Sequence, residues 1–263
     1  MDVSAKKVWI TGASSGIGEE YAYAFARQGC YLVLSGRNNA ELERVRDNCV
    51  GASGVEVLPL DLARHETFAP ITAALLERIG YVDILVNNAG VSQRSMARDT
   101  HFDVDKFIIE VDLIGTIGLT KVVLPSMLAR RSGQIVVTSS LMGKFGTPMR
   151  SAYAAAKHGL HGFFDSLRAE LYREGIGVLI VCPGFIRTNV SVNAMTGDGS
   201  KQNTMDQTTG NGLHPSVVAA KMIHALRHDR QEIYVGGSEV WGVYLKRFFP
   251  KLFSKIVRKA RVT

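Results

Sequence analysis

Lys7-Val8-Trp9-Ile10-Thr11-Gly12-Ala13-Ser14-Ser15-Gly16-Ile17-Gly18 is the stretch that decides the fold. Its first five residues carry the apolar and β-branched pattern of a buried strand, and the glycine-rich turn runs directly into the helical spacing of 19–28. Further short runs at 31–35, 55–60, 82–86, 134–139, 178–182 and 232–235 read as strands, with amphipathic stretches such as 40–48 and 65–79 between them. Strands separated by helices of this length are joined by right-handed crossovers and pair in parallel. The expected fold is α/β, a doubly wound parallel sheet of about seven strands with helices on both faces.

A chain of 263 residues with 46% hydrophobic and 21% charged residues fits one large domain and is neither disordered nor low in complexity. We expect a Rossmann-type unit over 1–240, with a mobile substrate lid at 189–212, where Gly, Asn, Thr and Ser replace periodicity. A basic amphipathic extension follows at 241–263. Of 31 Lys and Arg, seven (Lys246, Arg247, Lys251, Lys255, Arg258, Lys259 and Arg261) fall in that extension without an acid, so the body is neutral and nucleic acid is not an expected partner. Trp241, Tyr244, Leu245, Phe248, Phe249, Leu252, Phe253, Ile256 and Val257 recur there at three-four spacing, interrupted at Pro250. Such a pattern suits a peripheral membrane helix, and equally one packed on the body. Cys30, Cys49 and Cys182 form no Cys-x-x-Cys, and the amino-terminal residues run straight into a strand without room for a signal peptide, so a cytoplasmic setting is expected.

A glycine-rich turn between a first strand and its helix lets backbone N–H groups approach a pyrophosphate at the positive helix end. Gly12, Ser14, Ser15, Gly16, Ile17 and Gly18 are therefore expected to bind a dinucleotide. After the second strand the chain reads Ser35-Gly36-Arg37-Asn38, with no carboxylate for a ribose hydroxyl. Arg37 offers a fork for a 2′-phosphate, which predicts NADP(H) over NAD(H). A second long helix is expected near Ser151, where Tyr153, Lys157, Leu160, Phe164, Leu167 and Leu171 share one stripe. One turn apart, the Lys157 ammonium favours the phenolate of Tyr153 and equips it for proton transfer. Ser139 and Ser140 end the preceding strand on the side where ligands of parallel sheets bind.

Thr-Gly-x-x-x-Gly-x-Gly at 11–18, Asn87-Asn88-Ala89-Gly90, Ser140, Tyr153-x-x-x-Lys157 and Pro183-Gly184 resemble, in order and spacing, the short-chain dehydrogenase/reductase superfamily. The resemblance reaches residue 237 and implies Tyr153 as general acid/base, Lys157 on the nicotinamide ribose, and Ser140, thirteen residues before Tyr153, on the reacting carbonyl oxygen. It further implies Asp61 and Leu62 at the adenine, Asn88, Ala89 and Gly90 at the adenosine ribose, and Pro183, Gly184, Ile186 and Thr188 toward the carboxamide. One position departs: where the family has Asn-x-x-Gly, this chain reads Asp112-Leu113-Ile114-Gly115. An ionised Asp112 accepts hydrogen bonds but donates none, which puts the usual proton relay in doubt.

The segments at 148–153, 191–194, 198–200 and 205–206 are most similar to the branch of dehydrogenase/reductase member 7B and, more distantly, 11β-hydroxysteroid dehydrogenase. The resemblance implies an NADP(H)-dependent oxidoreductase for a small-molecule carbonyl or secondary alcohol, bulky and apolar, assembled as a homodimer or homotetramer. A ketoacyl carrier-protein reductase and a non-catalytic NADPH-sensing regulator are the alternatives. No metal is expected, because His224 and His228 lack a third ligand. His158 and His161 read as packing or surface residues, and no histidine or base adjoins a cysteine in sequence to make it a nucleophile.

Overall fold

A computed structural model describes residues 1–259; positions 260–263, Arg261 among them, lie outside the described residues. Seven strands form one sheet in the order β3-β2-β1-β4-β5-β6-β7: β1 Lys7–Thr11, β2 Tyr31–Ser35, β3 Gly54–Val57, β4 Ile84–Asn87, β5 Gly133–Thr138, β6 Ile176–Pro183 and β7 Glu232–Val235. Every pairing is parallel. Helices α1 Gly16–Ala26, α2 Asn39–Asp47 and α3 Phe68–Ile79 provide the first crossovers. The chain thus starts in the middle of the sheet, winds to one edge, and returns through β4 to build the other half. Strand order therefore reverses between β1 and β4, and a crevice opens at their carboxyl ends.

Alternation along the strands makes two cores. Val8 and Ile10 of β1 face one cluster with Phe25, Leu32 and Leu34, whereas Trp9 faces the other with Val33, Leu85 and Leu119. Trp9 is fully buried, and its indole N–H donates to Ser35 Oγ at 2.8 Å, which removes the cost of an unpaired donor. The ladder of β3 ends earlier than the spacing 55–60 suggests, because Pro59 has no N–H to give. Leu58 and Leu60 on either side still donate to Leu34 O and Gly36 O.

The long helical segment between β4 and β5 comprises α4 Phe102–Ile109, a π-helical turn at Glu110–Gly115, and α5 Thr116–Arg130. His101 holds the cap position of α4, and Thr100 Oγ1 donates back to Met96 O. Pro125 lies inside α5 without ending it. The irregularity lies instead in the π turn, where a Cβ on Gly115 would stand 2.4 Å from Leu62 O, so only glycine fits there. Next comes α6 Ser151–Glu170, carrying the Tyr153 stripe.

Residues 189–212 hold one short helix, α7 Gln207–Gly210, before α8 Pro215–Arg227. The base of this segment is anchored to the body. Arg94 Nη2 and Asp206 Oδ2 meet at 2.5 Å with side chains 2% and 1% exposed, and Met195 N donates to Ser92 O. The carboxyl-terminal extension folds into α9 Trp241–Phe248 and α10 Pro250–Val257, which pack on each other and on the body through Phe253 against Phe145, ring centres 5.1 Å apart. Among the described residues no helix is long and apolar enough to cross a membrane.

Candidate active site

The crevice at the β1/β4 switch point is held by a side-chain stitch. Asn88 N and Ala89 N both donate to Thr11 Oγ1, at 3.0 and 3.1 Å, while Asn88 Nδ2 reaches Thr11 O and Gly12 O. Beside it lies a cleft of about 680 Å³ lined by Gly12, Ser14, Ser15, Gly16, Ile17, Arg37, Asp61, Leu62, Asn88, Ala89, Gly90, Asp112, Ser140, Tyr153, Lys157, Pro183, Gly184, Ile186 and Thr188. Of the residues assigned to the dinucleotide from sequence, Gly18 alone lies outside this lining. It packs behind it, where a Cβ would meet Gly12 O at 2.1 Å, so its glycine serves the close approach of α1 to β1 rather than contact with a ligand.

The cleft fits a dinucleotide on three observations. Gly12 and Gly16 adopt φ of 66° and 59°, a region favouring glycine, and a Cβ on Gly12 would lie 2.7 Å from Ala89 Cα. The α1 amino terminus opens on the cleft with Ser15 making no side-chain cap, so its first N–H groups face the place of a pyrophosphate. At the rim beyond β2, Arg37 is exposed to the cleft, and the acid nearest it in sequence, Glu41, is ion-paired to Arg44 at 2.7 Å.

Ser140 and Ser139 leave the end of β5 on different errands. Ser140 Oγ donates to Pro183 O at 3.3 Å and accepts from Met142 N; Ser139, which also lines the cleft, turns its Oγ to Lys157 O and the His161 ring. The thirteen-residue spacing thus selects the serine whose hydroxyl is not engaged with α6. Lys157 Nζ sits 5.5 Å from the centre of the Tyr153 ring and donates to Thr138 O at 3.3 Å. Its side chain is 5% exposed, and its other partner is Asp112 Oδ2 at 3.3 Å.

Asp112 comes from the π turn and is fully buried. Its Oδ1 accepts from Val91 N at 2.7 Å, tying the loop after β4 to the long helix, and a Cβ on Gly90 would stand 3.1 Å from either carboxylate oxygen. Burial raises the Asp112 carboxyl against the pull of Lys157 and the Val91 N–H. For Lys157, burial opposes the charged form, but the facing Asp112 carboxylate prevails and raises the ammonium. Position 112, where the resemblance implies an amide, is therefore an acceptor closing an ion pair on Lys157.

Sequence reasoning missed three groups of residues. Arg94 and Arg150 also line the cleft, both near Asp206; burial and the neighbouring Arg94 press Arg150 down to about 10. A second, mainly apolar cavity of about 630 Å³ adjoins Ser140 and is walled by Met142, Phe145, Phe185, Tyr244, Leu245 and Phe253. The amphipathic spacing of the extension was the signal for that wall, but periodicity cannot say what a helix packs against. His161 lies 3.6 Å from Cys182 Sγ, so a histidine does adjoin a cysteine in space. Burial still pushes the Cys182 thiol up, away from nucleophile chemistry.

A doubly wound sheet with a dinucleotide cleft and a serine, tyrosine and lysine at one end defines a nicotinamide-dependent oxidoreductase that transfers hydride. The sequence profile of the short chain dehydrogenase family matches residues 6–199. The chain is 41% identical to dehydrogenase/reductase SDR family protein 7-like of Drosophila melanogaster, over 98% of this chain and 81% of that one. It is 42% identical to dehydrogenase/reductase SDR family member 7B of Bos taurus, over 95% and 79%. A solved short-chain dehydrogenase from Streptomyces avermitilis superposes with a TM-score of 0.84 at 30% identity, covering 99% of this chain and all of the other. The protein belongs to the short-chain dehydrogenase/reductase family, in the branch of members 7B and 7-like.

Exchanging Asp112→Asn keeps the shape of the side chain and removes the negative partner of Lys157. The positive potential around the Tyr153 phenol then grows, and, with Tyr153 as the proton donor, the pH profile of kcat is expected to move to lower pH. An unchanged kcat with an unchanged profile takes Asp112 out of the proton path.

Proposed function

We propose that the protein is an NADP(H)-dependent oxidoreductase interconverting a bulky, apolar carbonyl compound and its secondary alcohol. The observation that carries this reading is the apolar cavity opening directly off Ser140, lined by Leu141, Met142, Phe145 and Phe185 on the body and by Trp241, Tyr244, Leu245 and Phe249 from the extension. A site of this size and character gains affinity by removing apolar surface from water, at about 25 cal/mol per Å², and leaves orientation to a few polar groups. Arg37 at the cleft rim, with Glu41 occupied by Arg44, supports the phosphorylated cofactor over the unphosphorylated one.

In the reducing direction, NADPH held along Gly12, Ser15, Ile17 and Arg37 of the cleft would supply the hydride. Ser140 Oγ holds the substrate oxygen, and the Tyr153 hydroxyl gives that oxygen its proton as the carbon gains the hydride. Lys157 supplies positive charge beneath the phenol, and its place is fixed by Thr138 O and Asp112. Oxidation of the alcohol runs the same transfers backwards. In a panel of phenanthrenequinone, steroid ketones, retinals and acyl thioesters, NADPH should give the higher kcat/KM than NADH. Tyr153→Phe should lose at least about a hundredfold in kcat while still binding NADPH. Equal use of NADH overturns the cofactor assignment, and near-normal turnover by Tyr153→Phe overturns the mechanism.

The extension further supports peripheral contact with a membrane. Trp241, Phe248 and Phe249 are 73%, 68% and 62% exposed, and the bases of α9 and α10 flank them without an acid in 241–263. Exposed aromatics beside cations match the boundary of an anionic bilayer. The full chain should sediment with phosphatidylserine-containing vesicles, and the double substitution Phe248→Ser with Phe249→Ser should abolish this; indistinguishable sedimentation removes the membrane assignment.

A further inference from the structure

Behind Ser140, on the side of the sheet end away from the cofactor cleft, several polar side chains converge on one carboxylate. Glu232, the first residue of β7, receives the Lys144 ammonium on Oε2 at 2.7 Å and the hydroxyl of Tyr234 on Oε1. The same Oε2 lies 3.3 Å from His161 Nδ1. Across the ring, His161 Nε2 is 3.1 Å from Ser139 Oγ and 3.6 Å from Cys182 Sγ, and Ser139 Oγ also lies 3.3 Å from Lys157 O. His161 is 7% exposed, and a Cβ on Gly143 would meet its ring and Ser139 Oγ at under 3 Å, so the cluster is tightly packed.

These contacts bracket the catalytic serine. Ser139 precedes Ser140 and reaches Glu232 through His161, whereas Lys144 follows the 3-10 turn Leu141–Gly143 and reaches Glu232 directly. His161 is also one helical turn beyond Lys157 on α6, so the same carboxylate steadies the helix that carries the tyrosine and lysine. We propose that Glu232 and His161 are positioning residues, a dyad that sets Ser140 against Lys157 from outside the substrate and cofactor sites.

Direction along the chain of bonds follows from charge. Burial alone would raise the Glu232 carboxyl, but the facing His161 ring, the Lys144 ammonium and the Tyr234 hydroxyl outweigh it and hold it at about 2, so near neutral pH it accepts from Lys144 and Tyr234. A metal would draw on the same atoms, since ligand atoms of His161, Cys182 and Glu232 lie within 4.8 Å of one another. The Lys144 ammonium on Glu232 Oε2 stands against it, repelling a second cation from that oxygen.

The inference rests on the catalytic reading of Ser140 and Lys157, and the experiment keeps the two apart. With the fastest substrate of the panel above, Glu232→Gln should lower kcat roughly ten- to a hundredfold, as misplacement of catalytic groups does, and leave NADPH binding unchanged. His161→Gln and Lys144→Met each remove one arm, so each should give part of that loss; adding His161→Gln to Glu232→Gln should cost nothing further. If Glu232→Gln does not fold, Ser139→Ala and His161→Gln, which lie on one arm, must be non-additive in kcat. Full additivity, an unimpaired Glu232→Gln, or stoichiometric zinc in the wild type that Cys182→Ser loses would each overturn the dyad. Wild-type inactivity across the panel, or full activity of Ser140→Ala, overturns the underlying reading and this one with it. An inactive Ser140→Ala beside a normal Glu232→Gln overturns the dyad alone.

Discussion

A lysine ammonium with 5% of its side chain exposed is the constraint around which this site is organised. Taken out of water without partners, such a charge costs several kcal/mol and would shed its proton. Lys157 keeps it because Thr138 O and the Asp112 carboxylate stand at 3.3 Å, and each comes from a different element. The end of β5, the π turn of the long helix and α6 must therefore meet at one point. Asp112 extends the demand by accepting from Val91 N, which fixes the loop after β4. Four pieces of chain are thus held around one charge, and the cofactor cleft is the space between them.

The pair also changes what the lysine offers. An amide at position 112 would leave the ammonium's field undivided, whereas a carboxylate spends part of it locally. The buried ion pair is a poor device for stability compared with apolar packing, but removing either member would strand the other. Its value lies in geometry: the site cannot loosen at Lys157 without exposing an uncompensated carboxylate in the core.

Much of this was legible in the sequence because the cofactor half depends on local rules. The strand-turn-helix at 7–18, the alternation of short apolar runs and the Tyr153–Lys157 spacing each state a backbone requirement within a few residues, and the sheet and cleft follow them. Gly18 shows where the rule stops, since a glycine needed for packing and one needed for ligand approach look alike until Gly12 O is seen 2.1 Å from its missing Cβ. The Arg94–Asp206 anchor and the approach of His161 to Glu232 were illegible because they join residues far apart in the chain, without periodic pattern, and the π turn because it sits inside one continuous helical spacing. The aromatic spacing of 241–257 announced amphipathic helices, but not that one face would wall a cavity beside Ser140.

That wall has an evolutionary corollary. Helices α9 and α10 contribute no strand to the sheet and no group to the Ser140, Tyr153 and Lys157 constellation, yet they supply nearly half of the apolar chamber's perimeter. On the proposed function, recognition and reactivity lie in separable parts of the polypeptide: substitutions within those two terminal helices would redraw the range of accepted molecules and leave the Ser140, Tyr153 and Lys157 constellation untouched.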